Sequence, residues 1–276
     1  MLRVDGLVKS FGGLRALDGC GLEAAADGIT GLIGPNGSGK STLFNCVTGF
    51  YRPDAGQVSF AGAPLTGLPP WEIARRGVVR TFQQARVFPR LTCLENLLFA
   101  PGGQPGEALI RALVRPAAVR EREAALRARA EALLARVELA DHADALAGSL
   151  SYGQQKLLEL ARALMTEPRL LLLDEPAAGI NPALLARLVE LIRALHAEGK
   201  GFLIVEHDMP LVMTLCQRVV VLDYGQTIAA GTPDAIARDS RVLDAYLGTP
   251  AGGSVPQPLP PLGGEGGAGG VEGGLD

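Results

Sequence analysis

The run Gly34-Pro35-Asn36-Gly37-Ser38-Gly39-Lys40-Ser41-Thr42 constrains this chain more than any other segment. It fits G-x-x-x-x-G-K-[ST], a phosphate-cradling P-loop. Glycines let the backbone wind tightly against an anion, because no Cβ intrudes. The turned N–H groups converge at the start of a helix whose dipole favours negative charge. In such a loop Lys40 reaches the β/γ-phosphates and the Ser41 hydroxyl ligates Mg²⁺. Lysine is scarce in this chain (Lys9, Lys40, Lys156 and Lys200), which makes its place in the motif more telling. The setting agrees. Gly28–Ile33 reads as a short buried strand, and Ser41–Val47 continues as a helix.

A length of 276 residues allows one large domain or two modest ones, and 47% hydrophobic residues support a real core. The net charge of −3 leaves no electrostatic footprint for nucleic acid. Cys20, Cys46, Cys93 and Cys216 are scattered, with no C-x-x-C pair, so neither a zinc site nor a disulfide framework is indicated, and a reducing cytosol is the simplest compartment. The N-terminus has no apolar signal-peptide core, and no apolar run approaches the roughly 18 residues needed to span a bilayer. Attachment to a membrane would then go through a partner.

Along the chain, residues 1 to about 33 read as short strands separated by Gly, Asp and Ala turns. Gln57–Phe60 before Ala61-Gly62 reads as another strand and turn. From about residue 84 to 160 the pattern becomes helical: Leu126, Ala130, Leu133, Leu134 and Val137 recur at helical spacing among arginines and glutamates of a solvated face. Leu170–Leu173, Phe202–Val205 and Val219–Leu222 are apolar on both faces, as in a parallel sheet covered by helices. The helical pattern Leu184–His196 lies between the first two, giving βαβ order with the middle helices inserted. After Gly248 glycine and proline dominate, and residues 251–276 are expected to be a disordered tail with little to bury.

Two further segments carry chemistry. Leu170–Leu173 delivers Asp174 and Glu175 at a strand's carboxyl end, where ligands sit in open α/β sheets. Asp174 suits a Mg²⁺ shell and Glu175 suits polarising an attacking water. Leu150-Ser151-Tyr152-Gly153-Gln154 precedes a helical run, Lys156–Met165. Ser, Gly and Gln at a helix N-terminus offer donors to an anion; alone, the same residues are an ordinary helix cap.

Taken together, these motifs resemble the ATP-binding cassette (ABC) ATPases of membrane transporters over roughly residues 1–248. Residues 34–42 are similar to their Walker A, 170–175 to their Walker B with its glutamate, and 150–154 to their L-S-G-G-Q signature. The resemblance implies an α/β fold: a P-loop (RecA-like) core with a mixed, largely parallel sheet, an N-terminal antiparallel β subdomain, and a helical subdomain inserted at about 84–160. It makes 1–248 the nucleotide-binding domain and 249–276 a Gly/Pro-rich disordered tail. It implies ATP and Mg²⁺ as ligands. Gly34, Pro35, Asn36, Gly37, Ser38, Gly39, Lys40, Ser41 and Thr42 would bind the nucleotide, together with Ser151, Gly153 and Gln154. Ser41 and Asp174 would hold the metal, joined by Gln83 of Thr81-Phe82-Gln83, which resembles the Q-loop; Gln84 is the neighbouring alternative. Glu175, Gln83 and His207 would be the catalytic set, His207 from the switch-like Glu206-His207-Asp208. Phe11 resembles the aromatic that stacks on adenine, and a core phenylalanine is the competing reading.

The chain departs from the family pattern at Tyr152, where glycine is usual, and at Asn181, where the D-loop usually has aspartate. Arg80–Gln83, Asp174–Pro182, Glu206–Met209 and Ala245–Gly248 resemble the ATPase subunits of branched-chain amino-acid importers, with urea and amide importers closely related. Such a subunit implies a second ABC ATPase, identical or related, facing it head to tail. It also implies two transmembrane permeases, with Phe88, Pro89 and Leu91 near them. An extracytoplasmic binding protein would act indirectly, with no nucleic acid, and the subunit would sit at the cytoplasmic face of the membrane. The competing classes are an ABC ATPase serving nucleic acid, which typically adds coiled coils, zinc modules or a second cassette, and a P-loop kinase or GTPase, which leaves Ser151–Gln154 unexplained.

Overall fold

The computed structural model describes residues 1–81, 86–101 and 116–247. Two long strands open the chain, β1 (Leu2–Phe11) and β2 (Leu14–Ala24). Turns at Gly12-Gly13 and Ala26–Gly28 divide the strands as expected, but β1 and β2 are long rather than short. Gly6 and Gly19, at φ 55° and 72°, fall where the β1–β2 register shifts. Left-handed glycines absorb an extra residue as an irregularity without ending the pairing.

β3 (Ile29–Ile33) runs into the P-loop and α1 (Lys40–Val47). β4 (Ala55–Phe60) turns through Ala61 and Gly62, both left-handed, into β5 (Ala63–Pro64). These strands make a four-stranded antiparallel sheet in the order β2-β1-β4-β5. After α2 (Pro70–Arg75) and β6 (Val78–Arg80) the chain turns helical, as its periodicity indicated. α3 (Cys93–Leu98), α4 (Pro116–Arg136) and α5 (Tyr152–Leu164) follow before the sheet resumes. On α4, Ala130 and Leu134 are fully buried, with Leu126 and Leu133 packed against the same core and Val137 buried just beyond the helix.

The second half alternates: β7 (Leu170–Asp174), α6 (Pro182–Ala197), β8 (Gly201–Val205), α7 (Met209–Leu215) and β9 (Arg218–Asp223). β10 (Gln226–Gly231), α8 (Pro233–Ala237) and α9 (Ser240–Leu247) complete it. The six-stranded sheet has the order β10-β9-β3-β8-β7-β6. It is parallel except for β10, which pairs antiparallel with β9. Its two faces divide the core by strand alternation. Leu171, Leu173, Phe202, Ile204, Val219 and Val221 pack with the helices α5 and α6. Leu170, Leu172, Leu203, Val205, Val220 and Leu222 pack with β1, β2 and α1. Asp174, Val205 and Leu32 stand in one row across the sheet, so the ends of β7, β8 and β3 are level. Among the described residues no helix is long and apolar enough to cross a membrane.

Candidate functional site

The loops leaving β3, β7 and β8 open onto a cleft of about 410 Å³. Phe11, Asn36, Gly37, Gly39, Lys40, Ser41, Thr42, Glu175 and His207 line it. These residues come from four separate stretches of sequence; the level ends of β3, β7 and β8 bring all but Phe11 together, and β1 of the other sheet supplies Phe11.

The P-loop is shaped by where side chains cannot go. A Cβ at Gly34 would lie 2.0 Å from the Leu222 carbonyl oxygen, and one at Gly39 would lie 2.5 Å from that of Ala16. Gly39, at φ 105°, is the residue before α1, and no side chain caps that helix. Its first-turn N–H groups therefore have no side-chain partner of the usual kind, which suits an anion at this end. Pro35 and Ser38 lie within the loop, where the Ser38 N–H donates to the Pro35 carbonyl. The Lys40 ammonium is buried and donates to the carbonyls of Gly34 and Pro35, each at 2.8 Å. Burial lowers its pKa, and the negative charges of Glu175 and Asp174 oppose that shift.

Glu175 opens the turn after β7 in a left-handed conformation, φ 48°. Its carboxylate Oε1 lies 3.1 Å from His207 Nε2. Just before it, Asp174 is buried and accepts from the Arg80 guanidinium at 2.6 Å. Arg80 also donates to Asn45 on α1 at 2.6 Å, tying β6, β7 and the P-loop helix together. Glu206, ahead of His207, is buried. It accepts the Ala177 N–H at 2.8 Å and the His207 N–H at 3.1 Å. Desolvation raises its pKa, partly offset by those N–H groups.

Phe11 is 42% exposed at the cleft rim, which excludes the core reading. Its ring meets Tyr51 edge-on at 5.2 Å. Ser151, Gly153 and Gln154 do not line this cleft. Ser151 caps α5 in a reciprocal box: its Oγ accepts the Gln154 N–H at 3.3 Å, and Gln154 Oε1 accepts the Ser151 N–H at 2.9 Å. Gln83 and Gln84 lie outside the described residues, as does the tail from 248 onward.

Two oxygen donors expected for Mg²⁺ are described, the Ser41 hydroxyl lining the cleft and the Asp174 carboxylate, which is paired with Arg80 and stands behind the cleft lining. Among the described residues no three His, Cys, Asp or Glu form a protein-only metal cage. Mg²⁺ is usually held by one or two carboxylates with phosphate oxygens and water, and Asp174 and the exposed Ser41 hydroxyl match that donor set.

Sequence reading missed several residues. Leu14, Arg15, Ala16 and Tyr224 line the cleft from β2 and the β9–β10 turn. Their approach depends on how the two sheets meet, which leaves no local pattern. Arg80, Lys156 and Glu206 were in view only as neighbours of motifs. A charged residue closing a short apolar strand was the available signal for Arg80.

A family profile described as ABC transporter matches residues 17–178, more than half of the chain. This chain belongs to the ABC transporter family. A second profile, described as branched-chain amino acid ATP-binding cassette transporter, matches residues 226–252. The chain is 44% identical to the high-affinity branched-chain amino acid transport ATP-binding protein BraF of Pseudomonas aeruginosa, over 90% of this chain and 98% of that protein. Identity to LivG of Escherichia coli, with the same description, is also 44% at the same coverage. It is 42% to the probable branched-chain amino acid transport ATP-binding protein LivG of Archaeoglobus fulgidus, over 90% and 95%. Among solved structures, this cassette resembles a nucleotide-free ATP-binding cassette from an ABC transporter at TM-score 0.78 and 37% identity, covering 90% of this chain and 99% of that one. It resembles the ADP conformation of MJ1267, an ATP-binding cassette of an ABC transporter, at TM-score 0.77 and 38% identity, covering 90% and 98%.

Proposed function

We propose that this cassette is the ATP-binding, ATP-hydrolysing motor subunit of an importer for branched-chain amino acids. The observation that carries the cargo is the match of residues 226–252, outside the ATPase motifs, to the branched-chain amino acid profile. Near-full-length likeness to BraF and LivG supports it.

In this reading Gly34–Thr42 cradle the phosphates, Lys40 draws the β/γ-phosphate charge, and Phe11 offers its exposed face to adenine. Ser41, Asp174 and Gln83 would hold Mg²⁺, which would supply neutralisation of the phosphate charge. Glu175 would polarise the attacking water, and His207, whose Nε2 lies 3.1 Å from that carboxylate, would contact the γ-phosphate. Ser151, Gly153 and Gln154 lie outside their own chain's cleft, which is consistent with service to the nucleotide of a facing ATPase subunit. ATP then biases a two-state pair toward closure, and its loss releases the pair. Two permeases couple that closure to transport at the cytoplasmic face of the membrane. Phe88 and Phe99, both exposed and stacked edge-on at 5.0 Å, are candidates for that contact.

The test is co-purification with membrane permeases, followed by uptake of radiolabelled leucine, isoleucine, valine, urea and short amides. Leucine-class uptake that depends on ATP and on Lys40 supports the proposal. Uptake of urea or amides alone overturns the cargo.

A further inference from the structure

Tyr152 and Lys156 stand four residues apart at the start of α5 and share a face of that helix. The Lys156 ammonium reaches across to the turn after β7. It donates to the carbonyls of Glu175 at 2.9 Å, Pro176 at 3.3 Å and Ala178 at 2.7 Å. An ammonium has three hydrogens and no acceptor, so one turn absorbs its donor capacity. The same ammonium lies 5.3 Å from the centroid of the Tyr152 ring, within cation–π range. That ring also presses on the turn's far end: a Cβ on Gly179 would come within 3.0 Å of Tyr152 Cε1. The helix start is fitted just as closely to α6, since a Cβ on Gly153 would lie 2.1 Å from Leu184 Cδ2.

The turn needs holding. Glu175 is at φ 48°, a strained conformation for a non-glycine residue that persists where surroundings over-determine it. Its N–H is taken by the Val205 carbonyl at 2.9 Å, and Glu206 takes the Ala177 N–H. The strand and switch side therefore grips the turn's amides, while Lys156 grips its carbonyls. Burial lowers the Lys156 pKa, against the pull of Glu206, Glu159, Glu175 and Asp174.

We propose that Lys156 is a positioning residue for ATP hydrolysis: with Tyr152 over its ammonium, it clamps the carbonyls of Glu175, Pro176 and Ala178 and so aims the Glu175 carboxylate into the cleft. This rests on reading Glu175 as the group that polarises water. It gives the aromatic at 152 a task that a glycine there could not perform. It also ties the signature helix to the hydrolytic glutamate within one chain.

The experiment uses the full chain assembled with its co-purifying permeases and four variants: Lys156→Gln, Lys156→Arg, Glu175→Gln, and the Lys156→Gln/Glu175→Gln double. Equilibrium binding of labelled ATP gives Kd, and phosphate release gives kcat. Lys156→Gln should lower kcat about tenfold or more while Kd stays within roughly threefold, and Lys156→Arg should recover most of the loss. In the Glu175→Gln background the same change should alter residual hydrolysis by less than about twofold, because it acts through Glu175. Parent-like kcat in Lys156→Gln, a parallel loss of ATP affinity, or an undiminished effect in the Glu175→Gln background overturns the clamp. If Lys156→Gln does not fold, Tyr152→Leu replaces it. That change keeps bulk against Gly179 but removes the ring face, and a kcat unaltered by it overturns the proposal. Normal turnover in Glu175→Gln alone instead removes the reading of Glu175, and the clamp falls with it.

Discussion

Arg80 donates to Asp174 at 2.6 Å in an ion pair whose side chains are only 8% and 7% exposed. The pair joins the strand leading to the Q-loop segment with the strand carrying the Walker B acids. Removing one partner of a buried pair typically costs about 3–5 kcal/mol, because the other charge is left without compensation. Arg80→Ala should lower the urea unfolding free energy by about that amount, and adding Asp174→Asn should recover part of the loss. A cost below about 1 kcal/mol would show that solvent relaxes around Asp174 and that the pair is not structural.

Glu175→Gln keeps the shape of the side chain and removes its basicity. ATP affinity should hold while turnover falls by about 10²–10⁴-fold. A closed pair of ATPase subunits should accumulate on ATP, read by light scattering. Turnover near that of the parent would refute the role given to Glu175.

Lys40→Ala removes a charged donor from the loop itself. A charge-assisted hydrogen bond contributes about 1.5–3 kcal/mol, so ATP affinity should weaken roughly 10–100-fold. Calorimetric titration measures it, and an unchanged dissociation constant would count against the phosphate-cradle reading.

All four cysteines are buried and free. Burial pushes the Cys46 thiol up to about 11 and the Cys216 thiol up to about 12. The thiolate is the reactive form, so a thiol reagent near neutral pH should label the native chain slowly and all four sites in denaturant. The linkage has a definite sign. The folded pKa lies above the unfolded value of roughly 8.5, so this contribution to stability is intact below that pH and is lost as pH rises toward 11–12. Rapid native labelling of Cys46 or Cys216 would contradict that burial.

Much of the site was legible because its chemistry is local. Gly34–Thr42 carries its motif in nine residues directly after the strand Ile29–Ile33, and Leu170–Glu175 carries strand and acids in six. The parallel strands were visible as apolar runs, and α4 and α6 as helical spacing. What stayed hidden spans the chain. Arg80 and Asp174 are 94 residues apart, and Lys156 meets the Glu175 and Ala178 carbonyls at separations of 19 and 22. No periodicity encodes which side chain of one helix lands on which turn. The length of the first two strands is hidden for a different reason. Glycine usually signals a break, but Gly6 and Gly19 serve as bulges, and only the partner strand decides between those outcomes.

The level row Asp174–Val205–Leu32 has a consequence for how much error this protein can tolerate. Lys40, Glu175 and His207 are indexed by the rungs of one ladder, with adjacent rails about 4.8 Å apart. A slip of β8 by a single rung would carry His207 roughly 3.3 Å along and turn each β8 side chain to the opposite layer. Phe202 and Ile204 would then trade places with Leu203 and Val205, so a misaligned site cannot arise without a misaligned interior. Chains that pass the packing check thereby arrive with their reactive groups already in step.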